Sequence, residues 1–496
     1  MAATKAYLAI DMGASSGRHV IGTFDGKKLA LEEVYRFENG PVEVGGSLFW
    51  DLLSQWTHVK NGMRAAATKT NGAITSVGVD TWGVDFALLG RDDTLLGNPY
   101  QYRDARTDGM MDYAFSLVPR EEIFQHTGLQ FLQFNSLFQM LAMKKQRSPI
   151  LEQAESFLMI PDIFHWLMTG VKVNEFTEAT TSQMFNPTTG SWATELLSKF
   201  GLSTDILQTL AMPMTNLGKL RASVMEETGL KTTDVVLPAT HDTGSAVAAV
   251  PAKSVAGKTP DWAYVSLGTW ALMGVESPVP VVNPTVSRLN FTNEGGVNGT
   301  YRILKNICGL WLIQECRRVW NLGGKQWDWE DLNKLTREAT PLVSFINPDA
   351  RDFLGPTNMP EAIVTYCKRT GQTAPDSEGA VLRCALDSIA MKFRHVLEMC
   401  EQITGQRIEV IHIVGGGTKN RLLCQAAANA TGRHVVTGPI EATGIGNIAV
   451  QMVASGEFKD IAEAREVIRN SFPVEEFTPQ NVSAWNDAYT RFLKVQ

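Results

Sequence analysis

The sequence predicts an α/β protein made of two related domains, and three observations carry that reading. The chain has 496 residues, more than one ordinary hydrophobic core accommodates. A strand–turn–strand pattern near the start, Tyr7 to Gly22, returns at Tyr264 to Val275 with a similar small-residue turn. Between the two copies the β-branched run Val235-Val236-Leu237 stops at Pro238. It passes through Ala239-Thr240-His241-Asp242-Thr243-Gly244-Ser245 to a helix of small residues starting at Ala246. Open α/β sheets do their chemistry where a strand tip hands a carboxylate to a helix start. That hand-over is also the expected boundary, giving domains 1–245 and 246–496.

Composition narrows the function classes. The chain is 44% hydrophobic and 20% charged, with a formal net charge of -7 and no long run of one sign. Nothing electrostatic points to a nucleic acid or an anionic membrane. No apolar run reaches the ~18 residues of a membrane span. Met1 to Lys5 lead straight into a strand, without a signal-peptide core. Six cysteines without a C-x-x-C pair read as reduced thiols of a cytoplasmic protein, not as a disulfide or zinc framework.

The elements follow in order. Tyr7-Leu8-Ala9-Ile10 is a buried strand ending at Asp11. The turn Gly13-Ala14-Ser15-Ser16-Gly17-Arg18 leads to a strand from His19 to Phe24, and Asp25-Gly26 turns it into a third from Leu29 to Phe37. The first turn is either a phosphate cradle or an ordinary glycine hairpin. Leu52, Trp56, Val59 and Met63 recur at helical spacing. Ile74 to Val79 is a strand running into Asp80-Thr81-Trp82-Gly83-Val84-Asp85-Phe86, where Trp82 either stacks on a sugar or belongs to the core. Tyr102-Arg103-Asp104-Ala105-Arg106 reads as a structural salt-bridge cluster. Residues 120 to 230 read as mostly helical.

In the second half Ile307 to Trp320 reads as a helix entered through Lys305-Asn306, and Glu378 to Ile403 as a long apolar-periodic helix. The strand Val410 to Val414 meets Gly415-Gly416-Gly417-Thr418-Lys419-Asn420, which opens another helix. A glycine-rich junction of that kind lets a ligand lie on the backbone. Ala484 to Val495 reads as a closing helix. Two look-alikes are set aside. Gly257-Lys258-Thr259 lacks the first P-loop glycine and precedes Pro260. Gly444-Ile445-Gly446-Asn447-Ile448-Ala449 does not follow a strand directly, and its glycines read as permitting close helix packing.

Together, the Asp11-to-Arg18 hairpin, Ser266-Leu267-Gly268-Thr269-Trp270, His241-to-Ala246 and Val414-to-Asn420 resemble the FGGY family of carbohydrate kinases. The likeness covers nearly the whole chain. Ala9 to Arg18, Val79 to Phe86, Tyr102-Arg103-Asp104, Thr292 to Gly296 and Leu304 to Leu312 are similar to the branch of that family that acts on L-rhamnulose. The tetrapeptide that names the family is absent. The resemblance implies two ribonuclease H-like (actin/hexokinase-type ATPase) domains with a cleft between them, which sugar binding closes. It implies ATP-dependent phosphorylation of a ketose at its 1-hydroxyl, with Mg2+. From spacing alone Asp242 is a helix N-cap or a catalyst; the resemblance makes it the catalytic base. It makes Gly83, His241, Asp242, Thr243 and Asn306 sugar contacts. It makes Ala14, Ser15, Ser16, Gly17, Arg18, Thr269, Gln314 and Gly416 nucleotide contacts. Asp11 would stand near the Mg2+–phosphate group, acting through water. The N-terminal charge of the helix at Asp242 is expected to favour its ionised form. A kinase of another ketose, such as L-fuculose, would differ only around Asp80 to Phe86. A non-catalytic actin-like sensor would be free to lose Asp242.

Overall fold

The computed structural model describes residues 5–253 and 260–496; the P-loop look-alike Gly257-Lys258-Thr259 lies outside them. The chain gathers into two compact units. The first holds the described part of residues 1–258 together with Glu276–Ile303 and Ala442–Phe472; the second holds the described part of 259–275 with Leu304–Glu441 and Pro473–Gln496. A single cut at residue 245 therefore matches the sequence repeat but not the packing. The helix Asp242–Ala248 stays with the first unit, and the helix Ala442–Ala454 returns to it from far along the chain.

The first unit is built on a six-stranded sheet: β1 (Lys5–Met12), β2 (Ser16–Phe24), β3 (Leu29–Glu38), β4 (Ser76–Thr81), β5 (Asn216–Lys219) and β6 (Asp234–Val236), in the order β5-β6-β4-β1-β2-β3. β1 is antiparallel to β2 and parallel to β4, and β4 is parallel to β6. β1 is central, so it is buried on both faces from Ala6 onward and reads as a nearly unbroken apolar run. Its side chains Leu8 and Ile10 share a core with Val77, Val79, Ile163 and Phe164.

A second, seven-stranded sheet repeats the plan with β7 (Trp262–Leu267), β8 (Trp270–Ser277), β9 (Tyr301–Cys308), β10 (Val410–Val414), β11 (His434–Thr437) and β12 (Glu475–Phe477), in the order β9-β8-β7-β10-β11-β12, with the short strand Thr292–Gly295 outside β9. Here too the first strand is antiparallel to the second and parallel to the fourth. The repeat seen in the letters is thus a repeat of sheet topology. The long helix Glu378–Thr404, capped by Ser377 and ended by Gly405, packs against helices Trp329–Glu338 and Arg421–Thr431.

Three expectations change. The segment from Ile307 to Trp320 is not one helix: β9 runs on through Cys308, and the helix is Trp311–Leu322. Gly309, at the junction, lies so close to the Trp270 backbone that a Cβ there would stand 2.7 Å from it. The residues 120–230 alternate short helices with short paired strands, such as Phe86–Leu89 with Ser156–Met159. The glycine run Gly415 to Asn420 forms a short 3-10 turn, and the helix proper starts at Arg421. Among the described residues no helix is long and apolar enough to cross a membrane.

Candidate active site

In the first unit the carboxyl ends of β1 and β4 and the start of the helix Asp242–Ala248 bring the central residues together. Asp11 lies across from Arg18 in the β1–β2 hairpin and beside Asp80 in the parallel β1–β4 register. Arg18 donates to Asp11 Oδ2 from Nε (2.9 Å) and Nη2 (2.7 Å). The turn between them closes on itself, Gly13 N donating to Ser16 O, while Asn39 holds Ser15 O and Gly13 O. Gly17 is glycine for a steric reason: a Cβ there would sit 2.1 Å from the Phe37 ring.

Asp242 is the first helical residue, and the N-cap position belongs to His241. The carboxylate does not cap the helix; its Oδ1 accepts from Thr243 Oγ1 (3.0 Å) and faces His241 Nε2 at 3.6 Å. Its side chain is 32% exposed. Burial pushes the carboxyl upward from its usual range, opposed by His241 and reinforced by Asp11. The helix start is expected to favour the ionised form; desolvation acts against that and moves the carboxyl the other way. Asp80 is fully buried, accepts from Asn447 Nδ2 (2.5 Å), and its Oδ1 has no partner. Burial, then the charges of Asp11 and Asp242, drive its carboxyl well above the usual range despite the Asn447 bond.

The helix is held at both ends. Below its start, Glu175 Oε2 accepts from Thr177 and Thr240 hydroxyls (2.6 Å each), and Thr177 Oγ1 accepts from His241 N (3.1 Å). At its far end Arg465 donates to Val247 O (2.8 Å) and Ala248 O (3.3 Å), and pairs with Glu276 at 2.8 Å. Thr81 N donates to Thr240 O (2.8 Å), which ties the β4 exit, and so Gly83, to the same segment. Val84, at φ 71, sits in a tight turn closed by Asp85 N donating to Gly83 O. A β-branched residue at positive φ is strained, and such strain persists only where neighbours enforce it. Here Thr181 Oγ1 holds Val84 N, and Ser136 Oγ holds Val84 O at 2.5 Å.

Trp82 belongs to the core. Its ring lies 4.1 Å from that of Trp50, and both indoles donate to Asp85 Oδ2. The Arg/Asp cluster is structural, as expected: Asp104 accepts from Leu48 N and Arg106 N, and Arg106 covers the Tyr100 ring at 3.8 Å.

Local spacing missed four carboxyls and one arginine. Glu294 and Arg302 meet at His241 Nδ1, at 3.2 and 3.0 Å. Asp162 is pushed up to about 8 by burial, against its Asn174 bond. Glu178 is fully buried with neither oxygen hydrogen-bonded among the described residues; burial, then Asp162, Glu175, Asp242 and Glu294, drive its carboxyl well above the usual range. Glu175 is likewise raised, by burial. The available signal was a charge inside an apolar strand, as in Tyr301-Arg302-Ile303-Leu304.

In the second unit Thr269 and Gln314 are in contact, Thr269 Oγ1 donating to Gln314 Oε1 at 3.2 Å. The Gly268-Thr269 turn accepts from Gly309, Leu310 and Trp311 N, so the helix carrying Gln314 starts on that turn. The three glycines after β10 have three reasons. Gly415 needs φ +91; a Cβ on Gly417 would lie 2.3 Å from the Leu267 side chain; Gly416 faces open space. Asn306 stands near the end of β9.

The chain matches the N-terminal domain of the FGGY family of carbohydrate kinases over residues 6–249 and the C-terminal domain over 263–455. A rhamnulokinase of Bacteroides thetaiotaomicron is 42% identical over 486 residues, 98% of each chain. One of Bacillus subtilis is 38% identical over 476 residues, 96% of each. Among solved structures, a gluconate kinase from Lactobacillus acidophilus superposes with a TM-score of 0.81 at 17% identity, covering 99% of this chain and 98% of that one. A Plasmodium falciparum glycerol kinase with ADP gives 0.76 at 15%, with coverage of 99% and 98%. The likeness to those structures is one of fold; with both family domains matched across almost the whole length, the chain belongs to the FGGY family of carbohydrate kinases.

Proposed function

We propose that the chain transfers the γ-phosphoryl group of ATP to the 1-hydroxyl of L-rhamnulose, giving L-rhamnulose 1-phosphate and ADP. The observation that carries this is Asp242: a carboxylate about two-thirds buried, oriented by Thr243 and faced by His241 Nε2. A sugar hydroxyl is a poor nucleophile at neutral pH. A carboxylate within hydrogen-bond reach accepts its proton as the O–P bond forms, an effect worth ~10²–10⁴ in rate. The upward push on Asp242 strengthens it as an acceptor. The choice of L-rhamnulose rests on the full-length relatives, which carry that sugar in their names.

The remaining roles are positioning and charge neutralisation, which is most of what phosphoryl transfer asks. His241, Thr243, Gly83 and Asn306 are assigned to the sugar. Ala14 to Arg18, Thr269, Gln314 and Gly416 are assigned to the nucleotide; the open space at Gly416 suits a ligand lying on the backbone. Among the described residues no group of three or more His, Cys, Asp or Glu forms a metal cage. Asp11 offers carboxylate oxygen but shares it with Arg18. That set fits Mg2+, which keeps several waters and is carried mainly by phosphate oxygens. Asp11 would hold it through water, and the ion, when bound, neutralises phosphate charge. Six buried cysteines, none of them in a disulfide among the described residues, suit a cytoplasmic setting.

ADP release measured over a panel of ketoses, with Asp242→Asn alongside, tests the reading. L-rhamnulose should be the best acceptor, and Asp242→Asn should lose ~10²–10⁴ in kcat. Greater activity on L-fuculose overturns the substrate; near-full activity of Asp242→Asn overturns the base.

A further inference from the structure

We propose that Glu294 and Arg302 are positioning residues for the sugar: they lock the His241 ring so that Nε2, and not the carbon Cε1, is presented beside Asp242. The proposal rests on the assignment of His241 and Asp242 above. Arg302, on β9, is completely buried, and Glu294, on the strand Thr292–Gly295, is 5% exposed. A buried ion pair is expensive in desolvation and is weak evidence of stability. This one converges on a ring nitrogen. Arg302 Nη2 lies 3.0 Å from His241 Nδ1 and 3.2 Å from Glu294 Oε2, and Glu294 Oε2 lies 3.2 Å from Nδ1. Arg302 Nε donates to Gly295 O (2.8 Å), fixing the guanidinium to the strand that carries Glu294. Gly295 is pressed on Phe176, where a Cβ would meet the ring at 2.6 Å. The next residue, Thr177, accepts from His241 N. Backbone and ring of His241 are therefore held from the same two elements.

The consequence is geometric. Arg302 Nη2 can only donate, so Nδ1 accepts and the neutral ring carries its proton on Nε2; a flip would put the carbons Cδ2 and Cε1 where the two nitrogens now stand. Nε2 stays 3.6 Å from Asp242 Oδ1, too long for a direct hydrogen bond. A hydroxyl oxygen seated against both atoms would touch the ring on one side and give its proton to the carboxylate on the other. Burial would raise the Glu294 carboxyl, yet the neighbouring His241 ring and the Arg302 charge hold it below its usual range.

The test is a double-mutant cycle with L-rhamnulose and ATP. Glu294→Gln should raise the KM for the ketose at least tenfold and leave the KM for ATP within twofold. In a His241→Ala background the same change should add less than twofold. A full tenfold loss in that background, or an unchanged ketose KM, overturns the proposal. Arg302→Lys, which keeps the charge but not the fork, should behave like Glu294→Gln. Should these variants not fold, 15N-histidine spectra of the unaltered protein decide: one fixed tautomer is expected for His241, and two interconverting tautomers overturn the proposal. Calorimetry of the ketose with Asp242→Asn and with Asp242→Asn/Glu294→Gln separates this from the parent reading. An active Asp242→Asn sinks the base assignment alone. Equal ketose affinity in the two variants sinks the positioning role alone.

Discussion

Gly446→Ala should damage both stability and turnover, while Gly444→Ala, two residues away in the same helix, should not. A Cβ on Gly446 would stand 1.8 Å from Ser245 O, 2.6 Å from Ser245 C and 3.3 Å from Ala249 N. All are backbone atoms, so no side-chain rotation relieves the clash. The helices Ala442–Ala454 and Asp242–Ala248 must part by about 1 Å, and overpacking of this kind costs ~1–3 kcal/mol. Alanine's helix propensity returns at most about 1 kcal/mol of that. At Gly444 the new Cβ meets only Val20, at 3.8 Å, an ordinary contact, so propensity wins and stability rises slightly. Ser245 lies one turn beyond Asp242, and its hydroxyl donates to Ala239 O at 2.7 Å, so displacement there moves the whole segment. Misplacing an aligned group by ~1 Å costs on the order of 10²-fold in rate. Thermal unfolding and kcat of the two variants, measured side by side, are sufficient. A Gly446→Ala protein with unaltered Tm and kcat would refute the reasoning, and so would a Gly444→Ala protein damaged equally.

Ser136→Ala removes the hydroxyl that holds Val84 O, so it should cost about 1–2 kcal/mol and raise the ketose KM; an unchanged KM would disconnect Gly83 from the sugar. Glu178→Gln should stabilise the protein more at pH 8 than at pH 4. The folded-state carboxyl is raised far above its unfolded value, so both states are protonated below about pH 4.5. Above that the unfolded chain releases a proton that the folded one retains, and stability falls by ~1.4 kcal/mol per pH unit until the folded carboxyl ionises. Glutamine removes this loss, and a Tm gain independent of pH would contradict it. The six cysteines should resist thiol reagents until the chain unfolds, since all are buried and burial pushes Cys400 and Cys424 up to about 12. Fast labelling of the native protein at any of them would count against this packing.

What was legible in the sequence is short-range. The two hairpins, the small-residue turn at Gly13 to Arg18 and the glycines at 415 to 417 announce themselves because strand, turn and glycine chemistry act over a few residues. The close helix packing at Gly446 was legible too, though not the identity of its partner. The family strings pointed to Asp242, but its surroundings were hidden. His241 and Arg302 are 61 residues apart, and Asn447 and Asp80 are 367 apart. No local spacing encodes such pairs. The continuation of β9 through Ile307-Cys308 was misread because a short apolar run fits a strand and a helix alike. The effect of burial on Asp242 stayed hidden for a related reason: a helix start is visible in the letters, and desolvation is not.

The return of Ala442–Phe472 to the first unit sets a timetable for synthesis. Gln451 donates to Leu8 O and accepts from Ser76, Asn447 supports Asp80, and Ile448 fills the space against Gly22. None of these groups exists until the ribosome has read through the intervening Leu304–Glu441, which takes roughly 10–30 s at cellular rates. For that interval the nascent first unit carries an open face over β1 and β4, with buried-type carbonyl and carboxyl groups waiting for partners. A shortened message ending before Ala442 would therefore yield no usable half-protein, only an unfinished sheet for chaperones or proteases to handle.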